Sequence, residues 1–195
     1  MNNKLVTNTF LIGSIVYDAV FSPEECEKIL HSKSVTDARQ AKVQNKEGHF
    51  VIDKTYRDTK GRAIIRSAET DWIAERILGV VTDANKLYQF HIGYMDKMNI
   101  LEYTPGGFYN WHIDITGEES FCTRKISVVV FLSKREDYEG GQLSFNIGNT
   151  KNPNKMHQNQ GSIAIFPSYL AHRVETVSKG KRMTLVTWVH GNSFH

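Results

Sequence analysis

From residue 98 onward the chain reads as a series of short apolar segments separated by turn residues, and no other feature narrows the fold as far. The segments are residues 98–103, 125–132, 142–147, 162–166, 172–177 and 183–189, all rich in β-branched or aromatic residues. Pro105-Gly106-Gly107, Gly140-Gly141, Asn152-Pro153-Asn154, Gly161, Pro167-Ser168 and Lys179-Gly180 punctuate them. Many short strands at this spacing predict a sandwich or barrel rather than a parallel α/β sheet.

The first half has a different texture. Ser22-Pro23-Glu24-Glu25 combines an N-cap serine, proline at the first helical position and a capping-box glutamate, and predicts a helix to about Ser32. Apolar residues from Trp72 to Ala84 at helical spacing predict a second helix, from Thr70 or Asp71 to about Leu87. Residues 42–62 are polar and fit either a strand pair or a mobile loop. Residues 10–16 fit an early strand better than a signal sequence, because Gly13 and Ser14 dilute the run and Asp18 closes it. Helices first and strands later predict an α+β fold, a β core with N-terminal helices packed on one side. No linker or repeat is evident, so residues 1–195 are expected to form one domain, helical to about residue 95 and β from about 96.

Composition excludes whole classes. With 40% hydrophobic and 23% charged residues, the chain is neither disordered nor low-complexity. A net charge of +3, with no block of like charge, does not single out nucleic acid as a partner. Two cysteines, Cys26 and Cys122, cannot staple a secreted scaffold and suggest a reducing, cytoplasmic setting. No apolar run approaches the ~20 residues of a membrane helix.

The chemistry concentrates in Tyr109-Asn110-Trp111-His112-Ile113-Asp114. On a strand, His112 and Asp114 would share a face, since side chains alternate. Two histidines and one carboxylate with open positions make the ligand set of non-haem Fe(II) oxygenases. His172, which opens a strand after the Pro167-Ser168 turn, is the best third ligand. His31, His49, His91, His157, His190 and His195 lack a neighbouring partner or lie in polar segments, and a structural role suits each better. Arg182 heads an apolar strand, where a guanidinium is expensive to bury without an anion. Residues 182, 184, 186 and 188 share one face, so Arg182, Thr184 and Trp188 could line one pocket.

His112-X-Asp114, then His172, then Arg182 resembles the Fe(II)- and 2-oxoglutarate-dependent oxygenases, and within them the prolyl 4-hydroxylase-like branch with its PKHD-type hydroxylases. Three stretches carry the likeness, 103–114, 132–143 and 161–182, all within residues 98–190. The resemblance implies a double-stranded β-helix, or jelly roll. It also implies Fe(II) on His112, Asp114 and His172, with 2-oxoglutarate and O2 as co-substrates and ascorbate as a candidate reductant. Arg182 would bind the far carboxylate of 2-oxoglutarate, with Tyr103, Ser127 and Thr184 as further co-substrate contacts. Tyr109, Arg124 and Trp188 would form the pocket walls. By side-chain type alone, Trp111 beside the first ligand, Phe108 and Trp188 could shield the oxidant. One departure is Phe131, where some relatives carry a co-substrate-binding tyrosine; a phenyl ring cannot make that hydrogen bond.

The implied reaction is hydroxylation of a prolyl residue in a peptide or protein, or of a small amino acid, with release of succinate and CO2. A nucleic-acid demethylase of the same superfamily is the enzymatic alternative. Such enzymes usually carry a second arginine six residues after the co-substrate arginine, where this chain has Trp188. A β-barrel module that binds without catalysing is the non-enzymatic alternative. The sequence leaves oligomeric state open and names no membrane partner.

Overall fold

The computed structural model describes residues 13–45, 47–116, 121–146, 154–156 and 158–193. Residues 10–12, the end of the expected strand 142–147 at Ile147 and most of the Asn152-Pro153 turn lie outside them.

The first half carries β1 (Ile15–Tyr17), α1 (Pro23–Leu30), β2 (Arg39–Gln40), β3 (Val43–Gln44), β4 (Phe50–Val51), β5 (Arg57–Asp58), β6 (Lys60–Ala63), α2 (Asp71–Tyr88) and β7 (Ile92–Met95). The second half carries β8 (Asn99–Tyr103), β9 (Phe108–His112), β10 (Arg124–Phe131), β11 (Tyr138–Gly140), β12 (Leu143–Phe145) and β13 (Asn154–Lys155). It ends with β14 (Ile163–Pro167), β15 (His172–Val174), β16 (Val177–Gly180) and β17 (Arg182–Gly191). The described residues are therefore mostly β with two α-helices. Both expected helices are present, but the expectation of a mainly helical first half is corrected: among the described residues seven short strands lie there, most of them too brief to give a periodic signal.

Two antiparallel sheets face each other. The larger runs β1-β14-β10-β17-β8-β6-β2, with β7 paired to the end of β17, and the smaller runs β13-β12-β15-β9-β5. Successive strands β8, β9, β10, β12, β14, β15 and β17 alternate between the two sheets, the winding of a double-stranded β-helix. β5 and β6 belong to opposite sheets, so the end of the polar segment 42–62 is built into the sandwich, and only the β3–β4 hairpin stands off it.

Alternation along the central strands separates two cores. Ile126, Val128 and Val130 of β10, with Met183, Leu185 and Val189 of β17, pack against Ile29 of α1 and Ile73, Ile77 and Val81 of α2. Val129 and Phe131 of β10, with Val186 of β17, point between the sheets. β10 is buried on both faces, which explains its apolar run from Val128 to Phe131. The capping box at Ser22 is formed, and Glu25 also takes a salt bridge from Arg76 of α2 at 3.0 Å. The helices thereby hold the outer face of the large sheet, leaving its inner face free for a site.

Candidate active site

His112 ends β9 and His172 begins β15, and the two are direct cross-strand partners. Their ring centroids lie 4.1 Å apart. Asp114 lies beyond the end of β9, which corrects the expectation of two adjacent pleats on one strand. Its backbone N–H instead donates to the Ser168 carbonyl at 2.9 Å, and this bond to the Pro167-Ser168 turn brings the carboxylate back to the imidazoles. Asp114 Oδ1 is 3.7 Å from His112 Nε2, and Oδ2 is 3.5 Å from His172 Nε2. One ligand atom from each of the three residues lies within 4.8 Å of the others, a spacing a single cation can bridge.

The histidines are oriented before any metal arrives. His112 Nδ1 lies 2.7 Å from the Asn110 carbonyl, and His172 Nδ1 lies 2.9 Å from the Leu170 carbonyl. A carbonyl only accepts, so each ring donates its Nδ1–H and presents the Nε2 lone pair to the site. Burial, and then the His172 ring, push the His112 pKa down to about 3. Burial alone would raise the Asp114 carboxyl. The His172 and His112 rings, with hydrogen bonds from Ser127 and Trp188, outweigh it and hold Asp114 below the usual carboxylate range. Neutral imidazole and ionised carboxylate are the forms in which these side chains bind metal.

The surrounding shell differs in places from the sequence expectation. Ser127 Oγ donates to Asp114 Oδ2 at 2.6 Å and sits 2.9 Å from Ser168 Oγ, so Ser127 holds the carboxylate rather than standing free for a co-substrate. Trp188 hydrogen-bonds Asp114 and stacks with Arg124, whose guanidinium lies 3.8 Å from the Trp188 ring and 4.1 Å from the Phe121 ring. Tyr109 lies on the same side of β9 as His112, with ring centroids 3.5 Å apart. Trp111 points the other way, under Arg173 at 4.8 Å, and neither Trp111 nor Phe108 lines the cavity. That corrects the expectation that they shield the site. His190 is also better partnered than its sequence context suggests, with Thr123 Oγ1 at 2.9 Å and the Tyr94 ring stacked at 4.6 Å.

A cavity of about 1190 Å³ opens between the sheets and joins His112, Asp114 and His172 to Arg182, Arg124 and Trp188. Arg182 stands opposite Tyr103 in the large sheet and is 1% exposed. Its guanidinium lies 5.2 Å from the Tyr103 ring and 5.7 Å from the Phe131 ring. Arg182 Nε and Thr184 Oγ1 are buried without a hydrogen-bond partner among the described residues. No carboxylate of the described residues forms an ion pair with Arg182. An uncompensated guanidinium with an unsatisfied Nε–H, beside the unsatisfied Thr184 hydroxyl, fits a carboxylate ligand. Gly141, at φ +60°, is required here, because a Cβ would come within 2.8 Å of Arg182 Cδ. Sequence reasoning missed Tyr138 and Gln158, which both contact the guanidinium, and Ser168; only the turn at Ser168 left a signal.

Residues 98–190 match the 2OG-Fe(II) oxygenase superfamily. This stretch resembles a 2OG-Fe(II) oxygenase domain. The family's cofactors are Fe(II), 2-oxoglutarate and O2, and the donor set and the unpaired arginine fit them. The chain is 29% identical over 174 residues to a PKHD-type hydroxylase of Crocosphaera subtropica, covering 84% of this chain and 76% of that one. It spans only 39–62% of the length of several other curated PKHD-type hydroxylases. Its fold is that of a Pseudomonas putida prolyl-4-hydroxylase, with TM-score 0.67 and 16% identity over 93% of this chain and 94% of that one. A Trichoplax adhaerens prolyl hydroxylase, solved with a hypoxia inducible factor peptide fragment, aligns with TM-score 0.69 and 17% identity over 92% and 84% of the two chains. No helix among the described residues is long and apolar enough to cross a membrane.

Proposed function

We propose that this oxygenase hydroxylates a prolyl residue in a peptide or protein, consuming 2-oxoglutarate and O2 and releasing succinate and CO2. The observation that carries the reading is one cavity holding both a preoriented His112-Asp114-His172 set and a buried Arg182 with no acidic partner among the described residues. His112, Asp114 and His172 would hold Fe(II), which with 2-oxoglutarate and O2 supplies the oxidising power for C–H hydroxylation. The protein supplies position and dryness. The Asn110 and Leu170 carbonyls fix the imidazole tautomers, while Ser127 and Trp188 hold the carboxylate. Arg182, Thr184 and Tyr103 receive the far carboxylate of the co-substrate. Tyr109, Arg124 and Trp188 form the wall against which substrate lies, and the β3–β4 hairpin, whose Phe50 edges onto Phe121, closes over it. The reading treats residues 1–195 as one domain in the cytoplasm, consistent with two cysteines outside any disulfide.

Peptide substrates are favoured by the PKHD-type and prolyl hydroxylase relatives and by a cavity wide enough for more than a free amino acid. Trp188 argues against the demethylase alternative. The position six residues after Arg182, where such enzymes usually place an arginine, holds an indole bonded to Asp114.

The deciding experiment is turnover of a prolyl peptide library with Fe(II) and 2-oxoglutarate, read as succinate and as a one-oxygen mass gain. A one-oxygen gain on proline that disappears in His172→Ala is the expected result. Succinate coupled only to a methylated oligonucleotide would transfer the assignment to the demethylases. Absence of succinate under every condition would leave a binding module.

A further inference from the structure

Arg182 is the largest fully buried side chain among the described residues, and what faces it is chemically unusual. A buried guanidinium is ordinarily matched by a carboxylate. Here its Nη2 donates to a neutral amide, Gln158 Oε1, at 3.2 Å. Its other neighbours are the phenols of Tyr103 and Tyr138, and Arg135 stands close enough to add positive charge. Gln158 is itself 3% exposed, and its Nε2 has no hydrogen-bond partner among the described residues. The amide thus spends its acceptor on Arg182 while its buried donor goes unused. Glutamate, of nearly the same shape, would make that same contact as an ion pair.

We infer that Gln158 is a positioning residue that fixes the Arg182 fork with a neutral acceptor, so that the guanidinium keeps its full charge for the co-substrate carboxylate. The inference rests on Arg182 binding 2-oxoglutarate, as proposed above. A neutral partner anchors one arm of the fork without competing for its charge. An acidic partner would fill the site from within and exclude the ligand, at a gain in stability for the ligand-free protein. The unmatched Nε of Arg182 and the hydroxyl of Thr184 complete the half of the cradle that the ligand must satisfy. Stability is thereby traded for an anion site, a place where a local rule of burial is broken at a functional position.

The test is isothermal titration of 2-oxoglutarate into Mn(II)-loaded wild type, Gln158→Glu and Gln158→Met, together with thermal melts of the metal-free proteins. In Gln158→Glu, 2-oxoglutarate should bind about a hundredfold more weakly or worse, while Mn(II) affinity stays at the wild-type value. The same variant should melt about 3 °C higher than wild type, because a buried charge gains a partner. Gln158→Met keeps the charge free but loses the anchor, so its 2-oxoglutarate affinity should fall only about fivefold. In turnover, Gln158→Met should raise KM for 2-oxoglutarate and leave kcat at saturation unchanged. Wild-type affinity in Gln158→Glu overturns the assignment. Should that variant not fold, wild-type affinity in Gln158→Met overturns it equally, and a several-fold loss sustains it. Wild-type protein that takes up Mn(II) but ignores 2-oxoglutarate instead overturns the oxygenase reading beneath it.

Discussion

Tyr109 stacks on His112 with ring centroids 3.5 Å apart, although the two are three residues apart on one strand. Simple alternation puts such residues on opposite faces. Here His172 pairs with His112 and Val174 with Tyr109, so β9 uses three steps where β15 uses two. The extra residue bulges the strand and re-aims the phenol at the ligand. Arg57 packs on the Tyr109 ring at 4.4 Å, making a layered stack above the site.

The stack predicts a graded response. Tyr109→Phe keeps the packing and should hold Mn(II) within about twofold of wild type, whereas Tyr109→Ala frees the His112 ring and should weaken Mn(II) about tenfold. Metal titration followed by electron paramagnetic resonance distinguishes the two. Equal affinity in the alanine variant would show that the Asn110 carbonyl alone orients His112.

Ser127→Ala removes the 2.6 Å hydrogen bond to Asp114 Oδ2. Loss of such a support typically weakens metal binding about 10–100-fold, while global stability changes by only about 1 kcal/mol. Paired measurements of Mn(II) affinity and urea unfolding check this. A drop in stability without a drop in affinity would make Ser127 a packing residue.

Arg182→Lys keeps a charge but loses the two-pronged donor geometry. The variant should need about tenfold more 2-oxoglutarate for half-maximal turnover, and Arg182→Ala more still. Iron binding should be unaffected in both. Steady-state kinetics at saturating peptide give the comparison, and unchanged KM in Arg182→Ala would move the anion role elsewhere.

The β3–β4 hairpin and the strands that follow it should differ in amide exchange. The hairpin stands off the sandwich, so residues 43–51 should exchange faster than β10, whereas residues 57–63, paired into both sheets, should be protected. Adding 2-oxoglutarate and a substrate peptide should slow the hairpin alone. Protection equal to β10 in the free protein would exclude a closing role.

Cys26 supplies a pH signature away from the site. It is fully buried against the helices, and burial, with the acidic residues of α1 next, pushes its thiol up to about 12. The unfolded thiol ionises near ~8.5. A raised pKa contributes stability that is complete below the unfolded value and is lost as pH rises toward the folded one. Between pH 8 and pH 10 wild type should therefore lose about 2 kcal/mol more than Cys26→Ala. Urea unfolding of both proteins at the two pH values measures the difference, and parallel losses would contradict it.

Much was legible in the residues alone, for identifiable reasons. Strand alternation is local, so Arg182, Thr184, Val186 and Trp188 could be placed on one face of β17, and all four do line the cavity. The capping box at Ser22 is a contact three residues long and forms as written. The order His112, Asp114, His172, Arg182 carried the family, because metal and carboxylate chemistry admits few side-chain types.

Tertiary structure decided what depends on partners distant in sequence. The bulge in β9 exists only against β15, and it alone puts Tyr109 over His112 while sending Trp111 under Arg173. Asp114 is aimed by a bond to Ser168, and Ser127 is claimed by a carboxylate 13 residues away in sequence. Gln158 meets Arg182 across 24 residues and a sheet edge. Two-residue strands such as β2 and β5 have no periodicity to read, and they become strands only because β6 and β9 offer unpaired backbone edges. The sequence by itself determined which chemistry the chain could hold; the packing of strands far apart in sequence decided which atoms face it.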